Sequence, residues 1–134
     1  MGQQQILLIM LGFIVVGIAV VVGIDLVNAN AVERNREAVI NDLNMLAGYA
    51  QTYYNKPSQL SGGGNSFQGY TIPTNLQSNA NGIYSVTSTS TNQLVINGIG
   101  TEFIGSSGGC VQSDLKPEYN ITITRSSNSI AKVR

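Results

Sequence analysis

The side chains of this chain that could move a proton or attack a carbon are few and scattered. There is no histidine, and Cys110 is the only cysteine. A zinc site needs several converging nitrogen or sulfur ligands and a nucleophilic triad needs a base beside its nucleophile, so neither has its usual parts. The carboxylates Glu102, Asp114 and Glu118 fall in separate predicted loops or strand ends and show no paired spacing. The glycines between Ser61 and Ser66 lack the preceding strand and following helix of a phosphate-cradling loop, and read as a flexible connection. No catalytic, cofactor-binding or metal-ligating residue is expected. Seven basic and seven acidic residues give a formal charge of zero, and the charged fraction is only 10%. Without a basic patch, nucleic acid is not an expected partner. One cysteine also excludes an intrachain disulfide.

What remains is the chemistry of polar groups stranded in apolar surroundings. Ile6 to Ile24 is an uncharged run of nineteen apolar or glycine residues, flanked by Gln3, Gln4 and Gln5 on one side and Asp25 on the other. About 20 such residues cross a hydrocarbon core, so the run meets the length criterion for a membrane span. Burying each large apolar side chain is worth roughly 1.5 to 3 kcal/mol, and a monomer free in water is excluded. A secretory signal is the competing reading, because Ala29-Asn30-Ala31 resembles a small-residue cleavage site; the run is long for that role, and no basic residue precedes Ile6. Gly12, Gly17 and Gly23 are small enough to admit a neighbouring helix, and are equally common as neutral membrane glycines.

The elements that would carry these groups follow from periodicity. Val32, Val39, Ile40, Leu43, Leu46, Ala47, Ala50, Tyr53 and Tyr54 form one stripe of an amphipathic helix continuing the apolar run. A helix from Gln3 to Tyr54 would be roughly 80 Å long. Glu33, Arg34, Arg36, Glu37, Asn41, Asp42 and Asn44 form the opposite, solvated face, with Glu33–Arg36 and Arg34–Glu37 spaced to pair. Tyr49, Tyr53 and Tyr54 lie on or beside the stripe and are expected in the core. Pro57 disfavours helical geometry at Lys56 and ends the helix.

Beyond it, Phe67 to Ile72 is expected to pack back on the helix. Gly82–Ser88 and Gln93–Ile96 read as a hairpin joined through residues 89–92. Asn97-Gly98 is a type I′ turn signal that would return the chain into a strand from Ile99 to Ile104. After the glycine-rich stretch 105–109, Tyr119–Thr124 alternates apolar and polar, and Ser129–Val133 pairs with it through Ser126–Asn128. The fold class is α+β, a long N-terminal helix with a small antiparallel sheet of about four strands on its C-terminal half. Residues 1–28 are the hydrophobic segment. Residues 29–134 form a head, divided into helix (29–55), glycine-rich loop (56–81) and sheet (82–134). Asn120-Ile121-Thr122 is an N-glycosylation-type sequon whose plainer reading is an ordinary polar strand face.

Gln3 to Ile9 followed by the unbroken run to Ile24, then the pattern from Val39 to Tyr54, a glycine-rich loop and strands, resembles the type IV pilin family. The likeness is specific over residues 1–54 and topological beyond. It implies an N-terminal helix that serves first as a membrane anchor and then as the core of a homopolymer, extracted by a pilus assembly machinery. A glutamate at the fifth position of the mature chain is usual in that family. Gln5 stands there if Met1 is the mature start, and Leu7 if cleavage follows Gly2. A glutamine keeps the acceptor and loses the charge. The mid-helix proline and the cysteine-bridged loop of many pilins are missing.

The resemblance implies a structural subunit of an extracellular pilus on the cell surface, held in the cytoplasmic membrane before assembly and serving motility or adhesion. Gln3, Gln4, Gln5 and Asp25 are the polar candidates for assembly contacts, with Gly12, Gly17 and Gly23 as packing candidates. Two alternatives stand beside it: a pseudopilin of a type II secretion or DNA-uptake system, and a single-pass anchored module that binds a ligand with its sheet.

Overall fold

A computed structural model describes residues 1–102 and 116–133, and one helix runs through nearly half of the molecule. Helix α1 spans Gly2–Asn55 without a break. It holds no proline, the residue most apt to kink it. It stops where expected, Lys56 being extended ahead of Pro57. Four strands follow: β1 (Gly82–Thr89), β2 (Gln93–Gly100), β3 (Glu118–Thr124) and β4 (Asn128–Lys132). All neighbours are antiparallel, in the order β1-β2-β3-β4, a simple meander. The architecture is the α+β arrangement expected, with β2 and β3 lying against the helix.

The core lies between the sheet and the second half of α1. Val39, Leu43, Leu46, Ala47, Ala50 and Tyr54 are buried against Tyr84, Leu94, Ile96, Tyr119, Ile121 and Ile123. Strand β3 shows the cause plainly: its odd positions 119, 121 and 123 are buried and its even ones are not, the period of two that leaves one sheet face to solvent. Phe67, Tyr70 and Ile72 do return to the helix. The Phe67 ring centroid lies 4.7 Å from that of Tyr54, and Tyr70 packs edge-on to Tyr53 at 5.4 Å. Tyr49 differs from expectation, being half exposed, because its position turns away from the sheet.

The Asn97-Gly98 turn and a separate strand from Ile99 are corrected. Both residues lie inside β2, which runs straight through to Gly100. Gly98 is favoured there by close approach: a Cβ at that point would meet Leu43 Cδ2 of the helix at 3.2 Å and the Tyr84 ring at 3.1 Å, so its neighbours would have to give way slightly. Gly100 likewise faces Asn35 and Pro117 with no room for a side chain. Asn97, on the other sheet face, donates to Glu118 Oε1 at 2.6 Å and Asn120 Oδ1 at 2.8 Å. Cross-strand packing thus overrides the local turn preference. Strand β4 begins one residue earlier than expected. Thr101 and Glu102 of the expected return strand form a bend rather than a strand, and its last two residues up to Ile104, the stretch 105–109, Cys110 and Asp114 lie outside the described residues.

The glycine-rich loop is a helix cap. Helix termini leave carbonyls without partners, and here Gly63 N–H donates to Tyr53 O at 2.8 Å, Asn65 N–H to Tyr54 O at 2.9 Å and Gly64 N–H to Lys56 O at 3.0 Å. The expected flexible connection is therefore bonded to the end of α1, with a short 3-10 turn at Ser58–Leu60 inside it.

Candidate assembly surface on the N-terminal helix

Two polar side chains fix where the head ends and the bare helix begins. Asn35 is buried, its amide donating to Asn81 O at 2.8 Å and Thr101 Oγ1 at 3.2 Å while its carbonyl accepts from Glu102 N–H at 3.3 Å. Two turns on, one oxygen of Asp42 accepts three hydrogen bonds, from Tyr84 OH at 2.7 Å, Asn79 Nδ2 at 2.8 Å and Asn81 Nδ2 at 3.0 Å. Burial raises the Asp42 pKa, but the three donors outweigh it and hold the carboxyl below its ordinary value. Its own burial, and then the same contact, push the Tyr84 hydroxyl well above the usual tyrosine range. Asp42 therefore does not belong to the solvated face; it clamps the helix to the start of β1. Asn35 is the residue that sequence reasoning missed. Its one signal is its place on the apolar stripe, four residues before Val39.

Among the described residues, nothing covers the helix below Ala31. The window apolar and long enough to cross a membrane has none of its surface buried, and every residue from Met1 to Asn30 is exposed. Added Cβ atoms at Gly12, Gly17 and Gly23 would meet nothing within 4 Å. The helix is long enough to anchor the chain in a membrane while the head stands clear of it.

The expected assembly residues do not share one face. At about 100° per residue, Gly12 and Gly23 point within roughly 20° of each other, whereas Gly17 is turned about 140° from Gly12. Gln5 and Asn30 align with Gly12 within about 20°, and Ala19 falls on the same line. Extended into the head, that line meets Asn41 and Gly48, both exposed and on the side away from the sheet. Small or amide residues thus recur along the back of α1, a line that Glu37 shares between Asn30 and Asn41. Asp25 lies on the opposite side, in line with Leu43, beneath the sheet. It is exposed and has no ion-pair partner among the described residues. Gln3 shares that side and Gln4 stands between, so of the three glutamines Gln5 alone joins the line. Of the two expected charge pairs, Glu33–Arg36 closes at 3.5 Å, and Arg34 and Glu37 do not meet. Arg36 also stands over the Tyr119 ring at 5.8 Å, a cation-π contact.

Asn120, the sequon asparagine, is half-buried in the middle of β3, with Asn97 on β2 and Ala131 on β4 as its strand partners. Glu102 follows the end of β2, and Glu118 opens β3 on the outer sheet face beside Asn97. Among the described residues no group of three or more histidine, cysteine or acidic side chains converges.

In comparisons with known proteins, the chain matches no family model, no curated protein and no solved structure.

Proposed function

We propose that the protein is a structural subunit of an extracellular pilus-like filament, anchored in the cytoplasmic membrane before assembly and polymerising through its N-terminal helix. One observation carries this reading. The helix continues unbroken for about 30 residues below the head, and among the described residues nothing covers that extension, whose stretch from Ile6 to Ile24 is apolar. Each large side chain on it favours burial by roughly 1.5 to 3 kcal/mol, so it has to lie in lipid or among like helices. The resemblance of Gln3 to Ile24 and Val39 to Tyr54 to type IV pilins supports the second fate following the first.

In this mechanism an assembly machinery draws the subunit out of the bilayer, and lipid contacts are exchanged for helix-to-helix contacts. The hydrophobic contribution is nearly unchanged in that exchange, so packing and the few polar groups decide the geometry. The line through Gln5, Gly12, Ala19, Gly23 and Asn30 is suited to close helix approach, since small residues let backbones near each other and amides bond across helices. It faces away from the head, which leaves the sheet free to form the outside of the polymer. Contacts of the head-to-tail kind that do not close generate an open helix of subunits.

The test is electron microscopy of filaments sheared from producing cells, with the subunit identified by mass spectrometry. Filaments built from this chain with residues 6–24 retained are the expected outcome. A chain found only as a detergent-soluble monomer in the membrane, on cells bearing no filament that contains it, sinks the proposal and favours an anchored binding module.

A further inference from the structure

The headed half of α1 keeps two large apolar side chains out of the core. Met45 and Tyr49 are 44% and 50% exposed, while the other large apolar residues from Asn35 to Asn55 are buried or half-buried against the core. Seven residues past Tyr49 stands Lys56, exposed and with no ion-pair partner among the described residues. At about 100° per residue these three positions fall within roughly 40° of one another, on the side of the helix turned away from the sheet.

The bare half repeats that spacing. Ile14, Ile18 and Asp25 follow one another at the same intervals as Met45, Tyr49 and Lys56, and they too fall within roughly 40°, on the sheet side. Two apolar groups and a charge thus recur in one order on opposite sides of the helix, and the charge is acidic on the bare half and basic on the headed one. A single displacement of 31 residues in the sequence, about 46 Å along a helix, brings all three pairs level: Ile14 with Met45, Ile18 with Tyr49, and Asp25 with Lys56.

The head decides between this register and its rival. From Asn35 on, the head occupies the side on which Asp25 lies, so a second helix placed there has to end below that level. Displaced by 31 residues, the α1 of a second copy ends level with Ile24, about 10 Å below Ala31, which leaves room for its capping loop. Arg34, on the same side as Lys56 and also without an ion-pair partner among the described residues, would reach Asp25 at a much smaller displacement. That displacement carries the second helix up to the level of Leu46, where the sheet already lies.

We infer that Asp25 of one copy pairs with Lys56 of a second copy, and that Ile14 and Ile18 of the first cover Met45 and Tyr49 of the second. This rests on the filament reading above, in which all copies point the same way, and it gives that polymer a register. Exchange of lipid for helix leaves the apolar contribution nearly unchanged, whereas a carboxylate at the end of an apolar run is costly to enclose without a counter-charge, so the ion pair selects the stagger. Each copy presents the acid on one side and the base on the other, and the contact therefore repeats without closing.

Sheared wild-type filaments are treated with a carbodiimide, which joins a carboxylate to an amine in contact with it, then digested and mapped by mass spectrometry. An amide between Asp25 and Lys56 is the expected product, and because the two stand about 46 Å apart along one helix it can only join two copies. Lys56→Arg should keep the filaments and lose that product, since a guanidinium does not couple. Lys56→Glu sets two carboxylates together and should lower filament yield roughly tenfold. Filaments in which Asp25 stays uncoupled, or couples to Lys116 or Lys132 instead, overturn the register and leave the filament reading standing, as does an undiminished yield from Lys56→Glu. The wild-type mapping decides the matter even where Lys56→Glu fails to fold. Cells that make no filament containing the chain reject the filament reading and this inference together.

Discussion

The two halves of α1 are one helix with two solvents. From Asn35 to Asn55 its apolar residues recur on one face and find the sheet, while its polar residues either face water or, as with Asn35 and Asp42, bond to loops of the same chain. From Ile6 to Ile24 apolar residues cover nearly all sides and the described residues of the chain offer them nothing. A helix apolar on one stripe is completed within its own domain, and one apolar all round has to be completed from outside. The boundary is at Asn35, the first side chain of the helix that the head buries.

Removing residues 1–28 is the strongest way to break that comparison. The core lies wholly C-terminal to the cut, so the remaining head should be monomeric in plain buffer with its sheet intact. Size-exclusion chromatography and circular dichroism check this, and a head that aggregates or unfolds would show that the halves are not separable. Next in size is Leu43→Ala. Leu43 is fully buried against Gly98 and the Tyr84 ring, and the loss should be about 2–5 kcal/mol in denaturant unfolding of the head. Val20→Ala, on the exposed half, should leave that same unfolding curve in place.

Asp42→Asn probes the clamp and should cost about 1–3 kcal/mol, since it replaces charge-assisted hydrogen bonds by neutral ones. The pH dependence has a definite sign. Because the folded state holds the Asp42 carboxyl below its ordinary value of 3.8, its contribution is present above that value and is lost as pH falls through the lower, folded one. The wild-type and Asp42→Asn melting temperatures should therefore converge in acid. Parallel melting curves down to the acid limit would remove the clamp from the account. The smallest effect sharpens the bare half: Gly12→Ala or Gly23→Ala strengthens the isolated helix by about 1 kcal/mol, yet should lower filament yield by crowding the back line. Gly17→Ala, on the other side, should leave yield unchanged in sheared-filament assays, and equal yields from all three would discard the line as a contact.

Much of this was legible along the chain, and the exceptions share a cause. The helix end at Pro57 and the alternation of Tyr119–Thr124 are local facts, and both stand. Asn97-Gly98 looked like a turn because the dipeptide favours one in isolation; the nearness of Leu43, far away in sequence, is what favours glycine there. Asp42 looked like a solvent residue because its three donors lie 37 to 42 positions onward. The glycines after Ser61 looked like slack because their partners are carbonyls at a helix end, which no periodicity reveals. Among the glycines of the bare helix, spacing alone separates Gly12 and Gly23 from Gly17, but which side faces away from the head required the position of the sheet.

Sequence by itself determined the two elements, their order and the existence of an uncovered apolar extension, because helix period, strand period and proline are properties of neighbouring residues. Only the tertiary structure decided where the helix stops being covered, which polar groups hold it, and which face it keeps free. Those depend on pairs of groups separated by tens of residues, whose hydrogen bonds and steric limits come into being only when the sheet closes onto the helix.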